Sequence, residues 1–120
     1  MYSKEAIIDL MTNDQGFLEG CLVRIYEKQT EDEKHSGETT HYNGIGFSGC
    51  DSRNGTYMAK YILTGVKQYR KTYGQNLSGK FLDKARKFMP KYAGQLTKIF
   101  AIEHALQERS MVAWVNDKNE

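Results

Sequence analysis

With 120 residues, 39% of them hydrophobic and 27% charged, the chain is sized for one domain, 1–120, that buries a core without metal or disulfide staples. Apolar runs stay short, which excludes a membrane-spanning helix, and Met1-Tyr2-Ser3-Lys4-Glu5 lacks the features of a signal peptide. Cys21 and Cys50 are too few for a disulfide framework, so a cytoplasmic protein is expected, with Cys21 as a buried thiol. The net charge of +2 hides an asymmetry: residues 1–52 carry four basic against ten acidic side chains, residues 53–98 eleven against one, and residues 99–120 two against four. A basic middle between acidic ends implies either a face for polyanions or mutual packing of the two halves.

In chain order, Ser3 is placed to cap a first helix, whose face is Ala6, Ile7, Leu10 and Met11, and Asn13-Asp14 ends it. Phe17, Leu18, Cys21, Leu22, Ile25 and Tyr26 then mark a second helix from Gln15 to about Lys34. It ends on Glu31, Asp32 and Glu33, where the helix dipole disfavours acids, so a partner in the basic segment is expected. A polar run and a glycine-rich crossing loop follow; four of the eleven glycines lie between His41 and Gly55. Asp51 or Asn54 is placed to cap a third helix with Met58, Ala59, Ile62 and Leu63 inward and Gly65 as its stop.

Residues 66–76 read as a basic, aromatic connection, and Ser78 caps the next helix, with Leu77 and Leu82 as a hydrophobic staple. The stripe Phe81, Leu82, Ala85, Phe88, Met89, Tyr92, Ala93, Leu96, Ile99 and Phe100 runs through Pro90 without losing register. One kinked helix is therefore expected, followed by a helical stretch from Ala101 to Glu108 and a strand or tail over Met111–Val115. No period-two run appears, so the fold class is all-α: a compact bundle of four or five helices with a Gly-rich crossing loop.

Gly44-Ile45-Gly46-Phe47-Ser48-Gly49 spells G-x-G-x-x-G, but the strand that a dinucleotide fingerprint needs before it is missing. The loop's backbone N–H groups could hold one phosphate, although Asp51 brings a carboxylate to the same place. His35, His41, Cys50 and Cys21 lack zinc-site spacing, and no metal or cofactor is expected. No nucleophile with a base stands out, so the chain reads as non-enzymatic. A metal-dependent nuclease using Asp32, His41 and Asp51 is the catalytic alternative.

The strongest signal is the basic stretch, where eleven cations between Arg53 and Lys98 interleave with Tyr57, Tyr61, Tyr69, Tyr73, Phe81, Phe88 and Tyr92. Periodicity assigns Phe81, Phe88 and Tyr92 to the core. Lys80, Lys84, Lys87 and Lys91 fall in one arc and would contact phosphates, while Tyr69, Arg70, Lys71 and Tyr73 would add phosphate and stacking contacts.

The order Tyr26-Glu27-Lys28-Gln29-Thr30-Glu31-Asp32-Glu33, Asn43-Gly44-Ile45-Gly46-Phe47 with Asp51, Ala85-Arg86-Lys87, and Lys91-Tyr92-Ala93-Gly94-Gln95-Leu96 resembles a small domain of unsettled function. That domain recurs in phage- and plasmid-encoded proteins, sometimes joined to helicase-type proteins, and the resemblance spans roughly residues 18–100. It implies a mobile-element origin, work near nucleic acid in the host cytoplasm, and one motif cluster: Gln29, Thr30, Asp32, Glu33, Asn43, Gly44, Gly46, Phe47 and Asp51. The cluster is either a site or a structural lock in which the acids accept N–H bonds from the loop and Phe47 plugs the core. Pro90 and a longer, more basic Lys67–Gly74 segment depart from the pattern. The expected function is a phage nucleic-acid-binding accessory protein, DNA or RNA. The alternative is a phage-encoded inhibitor of a host nuclease or CRISPR-type complex, acting by protein contact on a host nucleoprotein.

Overall fold

The computed structural model describes residues 2–36 and 46–118, with side chains placed for 2–30 and 46–109. Among the described residues there are five α-helices, one turn of 3-10 helix and no strand: α1 Lys4–Asn13, α2 Gln15–Ser36, α3 Ser52–Gln68, α4 Gly79–Phe88, the 3-10 turn Met89–Tyr92, and α5 Ala93–Lys118. The all-α expectation holds, and none of these helices is long and apolar enough to cross a membrane.

Local chemistry sets the helix ends. The Ser3 hydroxyl accepts from the Ala6 N–H at 3.1 Å, and the Asp14 carboxylate accepts from Gly16 and Phe17, so two caps follow each other where the first helix gives way to the second. Helix α2 is the hub: it packs against α1, α3 and α5, and its Leu18, Cys21, Leu22, Val23 and Ile25 are all buried. They meet Ile7 and Met11 of α1, Met58 and Ile62 of α3, and Met89, Leu96 and Ile99 in one core. Burial pushes the Cys21 thiol up to about 12, so it stays a neutral apolar group at ordinary pH.

Three expectations are corrected. Helix α3 does not stop at Gly65 but runs to Gln68; Gly65 is buried in its last turn, and its missing side chain leaves the space that the Asn76 amide oxygen occupies. Its stop is Arg70 at φ +56, the conformation glycine usually supplies, from which the Lys71 N–H returns to the Gly65 carbonyl at 3.0 Å. The stripe through Pro90 is not one kinked helix. Proline has no N–H to give, and the chain tightens into the 3-10 turn at Met89–Tyr92 before α5 begins. Residues 111–115 are neither strand nor tail but part of α5.

The connection between α3 and α4 is fastened to α2 by a buried carboxylate. Glu19 is fully buried, and five N–H groups converge on it. Its Oε1 accepts from the Gly74 N–H (2.9 Å) and Asn76 Nδ2 (2.8 Å); its Oε2 accepts from Gln15 Nε2 (3.0 Å), the Asn76 N–H (3.2 Å) and the Leu77 N–H (2.9 Å). Burial by itself would raise this carboxyl, but the bonds from Leu77, Asn76, Gln15 and Gly74 outweigh it and hold Glu19 below its ordinary value. Gly74, at φ +102, lies so close to the start of α2 that a side chain there would meet the Gly16 backbone at 3.0 Å.

Glu19→Ala strands these donors and is expected to cost about 3 kcal/mol or more, read from urea unfolding at neutral pH. Because the folded carboxyl is depressed, its contribution is fully present above the unfolded value near about 4.3 and fades as pH falls through the folded one. Stability of the native chain should therefore drop more steeply below about pH 4 than that of Glu19→Gln. Parallel pH profiles would contradict this account of the carboxylate.

Candidate nucleic-acid interface and the polar clasp beside it

The segment 46–51 enters α3 under a clasp built from three elements. Gly46 donates its N–H to Gln95 Oε1 of α5 at 2.9 Å, and Gln95 Nε2 returns a bond to the Gly46 carbonyl at 2.9 Å. Phe47 donates its N–H to Gln29 Oε1 of α2 at 3.0 Å, and Ser48 donates its N–H to the Tyr92 hydroxyl at 3.0 Å. Three consecutive backbone N–H groups are thus taken by side chains, and none of the three remains for a phosphate. Gly46 sits at φ +80, with Gln29 Cβ 2.5 Å from where a side chain would begin, so only glycine fits.

Phe47 is buried against Phe88 and Tyr92, edge to face, with its ring over Gly55. The plug in the lock is therefore in place. For the N–H groups of residues 46–48 the acceptors are two amides, Gln95 and Gln29, and the Tyr92 hydroxyl. Thr30 turns to its own helix, donating to the Glu27 carbonyl at 2.9 Å. Asp32 and Glu33 lie in α2 with side chains outside the described residues, as do Glu31 and His35. Asn43, Gly44 and His41 fall outside the described residues altogether, so the motif cluster is seen only through Gln29, Thr30, Gly46, Phe47 and Asp51.

Asp51 occupies the cap position of α3 but does not cap it. Its carboxylate instead accepts from the Tyr92 hydroxyl at 2.6 Å and the Ser48 hydroxyl at 3.3 Å, and pairs with Lys91 at 2.5 Å. Burial raises the Asp51 carboxyl, yet the bonds from Lys91, Tyr92 and Ser48 prevail and hold it below the usual range. Burial and the bond to Asp51 push the Tyr92 phenol up. This cluster can lock a loop. Among the described residues no group of three or more His, Cys, Asp or Glu side chains is placed to hold a metal ion.

The expected interface residues are distributed over one connection and one helix. Tyr69, Arg70, Lys71 and Tyr73 are all exposed on the connection that Glu19 fastens. Lys80, Lys84 and Lys87 are exposed on α4, and Lys91 follows in the 3-10 turn. Lys91 is the exception in character, since its ammonium is bound to Asp51. Arg53, Lys60, Lys67, Arg70, Lys71, Lys80, Lys84, Arg86, Lys87 and Lys98 are exposed and join no ion pair among the described residues.

Compared with known proteins, the chain matches no family model, no curated protein and no solved structure.

Several residues escaped the sequence pattern. Glu19 was signalled only by its position, a lone carboxylate inside Phe17-Leu18-Glu19-Gly20-Cys21-Leu22-Val23. Asn76 gave no signal, and Gln95 stood only in the motif Lys91–Leu96, with no role attached to it. Tyr92 belongs to the core as expected, but its hydroxyl also organises the clasp. Phe81, which its spacing places in the core, is 44% exposed: the ring it stacks on, Tyr57, is itself at the surface.

Tyr92→Phe removes the phenol donor to Asp51 while leaving the ring in place. It should lower stability by about 1–3 kcal/mol in urea unfolding and raise the Asp51 carboxyl pKa in an NMR titration. An unmoved Asp51 titration would mean that Lys91 and Ser48 suffice to set it.

Proposed function

We propose that this chain is a non-enzymatic nucleic-acid-binding accessory protein of phage or plasmid type, using the basic side formed by the α3–α4 connection and α4. The observation that carries the reading is that ten cations between Arg53 and Lys98 stand exposed without an acidic partner among the described residues. Charges not needed to fasten the fold are free to displace counterions from a phosphate backbone. Tyr69, Arg70, Lys71 and Tyr73 sit beside them on a connection that Glu19 holds in one shape, which limits the ordering a ligand would have to impose.

Arg70 supports the same reading. A non-glycine residue at φ +56 is strained by about 1–2 kcal/mol, and such strain concentrates where a side chain is needed. A second reading, a phage-encoded inhibitor docking on a host nuclease or CRISPR-type complex, draws on one observation: Ile102 and Leu106 are exposed on α5 beside a groove lined by Tyr2, Arg24, Phe100 and Glu103. Retention of a defined host complex after nuclease treatment, lost on Leu106→Glu, would favour it.

Affinity for a mixed-sequence oligonucleotide should fall steeply with salt, and Lys80→Ala/Lys84→Ala/Lys87→Ala should reduce the slope of log K against log salt by about 2–3. Arg70→Gly should raise stability by up to about 1 kcal/mol while weakening binding. No binding at low salt, or a slope untouched by the triple change, would overturn the reading.

A further inference from the structure

The exposed rings between α3 and α4 extend this reading to a ligand class. Tyr57 and Phe81 lie face to face, with centroids 5.5 Å apart and planes 27° from parallel. Neither is covered: Tyr57 is 57% exposed and Phe81 44%. Tyr61, one turn further along α3, is 51% exposed. Three aromatic rings thus form a surface row, in a molecule whose other large apolar groups are largely gathered into one core.

On α3 and α4 the charges that project beside that row are of one sign. At about 100° per residue, Arg53 and Lys60 project within about 60° of Tyr57 on α3, and Lys84 within about 60° of Phe81 on α4. Helix α3 contains no acid, and the single acid of α4, Asp83, projects about 160° away from Phe81. A flat π surface flanked by cations suits a ligand that offers a π face and a negative backbone together. Double-stranded nucleic acid offers only the second, because its base faces are covered by neighbouring bases. Unpaired bases offer both.

We infer that Tyr57, Tyr61 and Phe81 form a stacking platform for unpaired bases, so that the ligand of the basic side is single-stranded nucleic acid. This rests on the nucleic-acid reading above and narrows it. The cations hold the sugar-phosphate strand, and the Tyr57–Phe81 stack receives a base against its outer face. Tyr61, about 6 Å along the helix axis, receives a second.

The test uses fluorescence anisotropy on the full chain, at one moderate salt concentration, with three labelled probes of equal length, about 20 nucleotides: an oligothymidylate, the same strand with its internal bases replaced by abasic sites, and a duplex. The oligothymidylate should bind roughly tenfold or more tightly than the abasic strand. Tyr57→Ala and Phe81→Ala should each bring oligothymidylate binding down toward the abasic level, and Tyr57→Leu, which keeps an apolar surface but no ring, should do the same. Tyr57→Trp should restore the gap. Equal binding of the oligothymidylate and the abasic strand, or a gap that survives in all three loss variants, overturns the platform and leaves the basic side as a phosphate contact. No binding of any probe overturns both, and turns the basic side toward a protein partner. Because Tyr57 and Phe81 are exposed, thermal melting of the variants should confirm that they fold.

Discussion

A carboxylate buried without a cation is the constraint on which the rest of this structure depends. Removing Glu19 from water costs several kcal/mol, and no lysine or arginine offsets it. Five N–H dipoles do so instead, three of them backbone groups of the segment 74–77. Such an arrangement is demanding in a way that apolar packing is not. Leucines tolerate a sliding contact, whereas a carboxylate with both oxygens saturated accepts one geometry. The connection after α3 therefore takes its path from a residue on α2, and the placement of α4 follows from that path.

A second polar fastening, at the other end of α3, complements the first. Gln29 and Gln95 hold the segment 46–47 from opposite sides, and Tyr92 ties Ser48 and Asp51 to the turn before α5. Both ends of α3 are pinned by residues outside it. The side chains of Glu31, Asp32 and Glu33, expected to pair with the basic segment, lie outside the described residues. Among the described residues, Lys91 with Asp51 is the one ion pair between the first 52 residues and the basic middle. The fold is fastened by amides, hydroxyls and a dipole-solvated acid, and the middle's cations are left facing solvent. A surface of that kind costs self-repulsion, which makes it a feature in need of a use.

The helices were legible in the sequence because their signals are local. Ser3 and the Asp14 region announce caps, and a 3.6-residue stripe through Leu18, Cys21, Leu22 and Ile25 announces a buried face. What was not legible depended on residues distant in sequence. Gly65 looks like a helix stop until Asn76 is known to lie against it. Phe81 has core spacing, but spacing says nothing about whether a neighbour arrives to cover it, and only Tyr57 does. Apolar spacing continues on both sides of Pro90 although the helix ends there, since spacing does not register a change from α to 3-10 hydrogen bonding. The motif cluster was legible in Gln29, Gly46, Phe47 and Asp51, but which atoms of Gln29 and Gln95 meet the segment 46–47 depends on the fold.

The pairing of α1 with α5 carries a consequence for how the molecule is made. Tyr2 packs edge-on against Phe100, Arg24 binds Glu103, and α1 rests on α5 as well as on α2. These contacts, and those of Glu19 with residues 55 to 58 positions later, give a helical protein the long loop closures more typical of sheets. Emerging from the ribosome at about 5–20 residues per second, α1 and α2 wait several seconds for the segments that cover them. Helix α1, made before α5, has its full set of neighbours only once α5 is out.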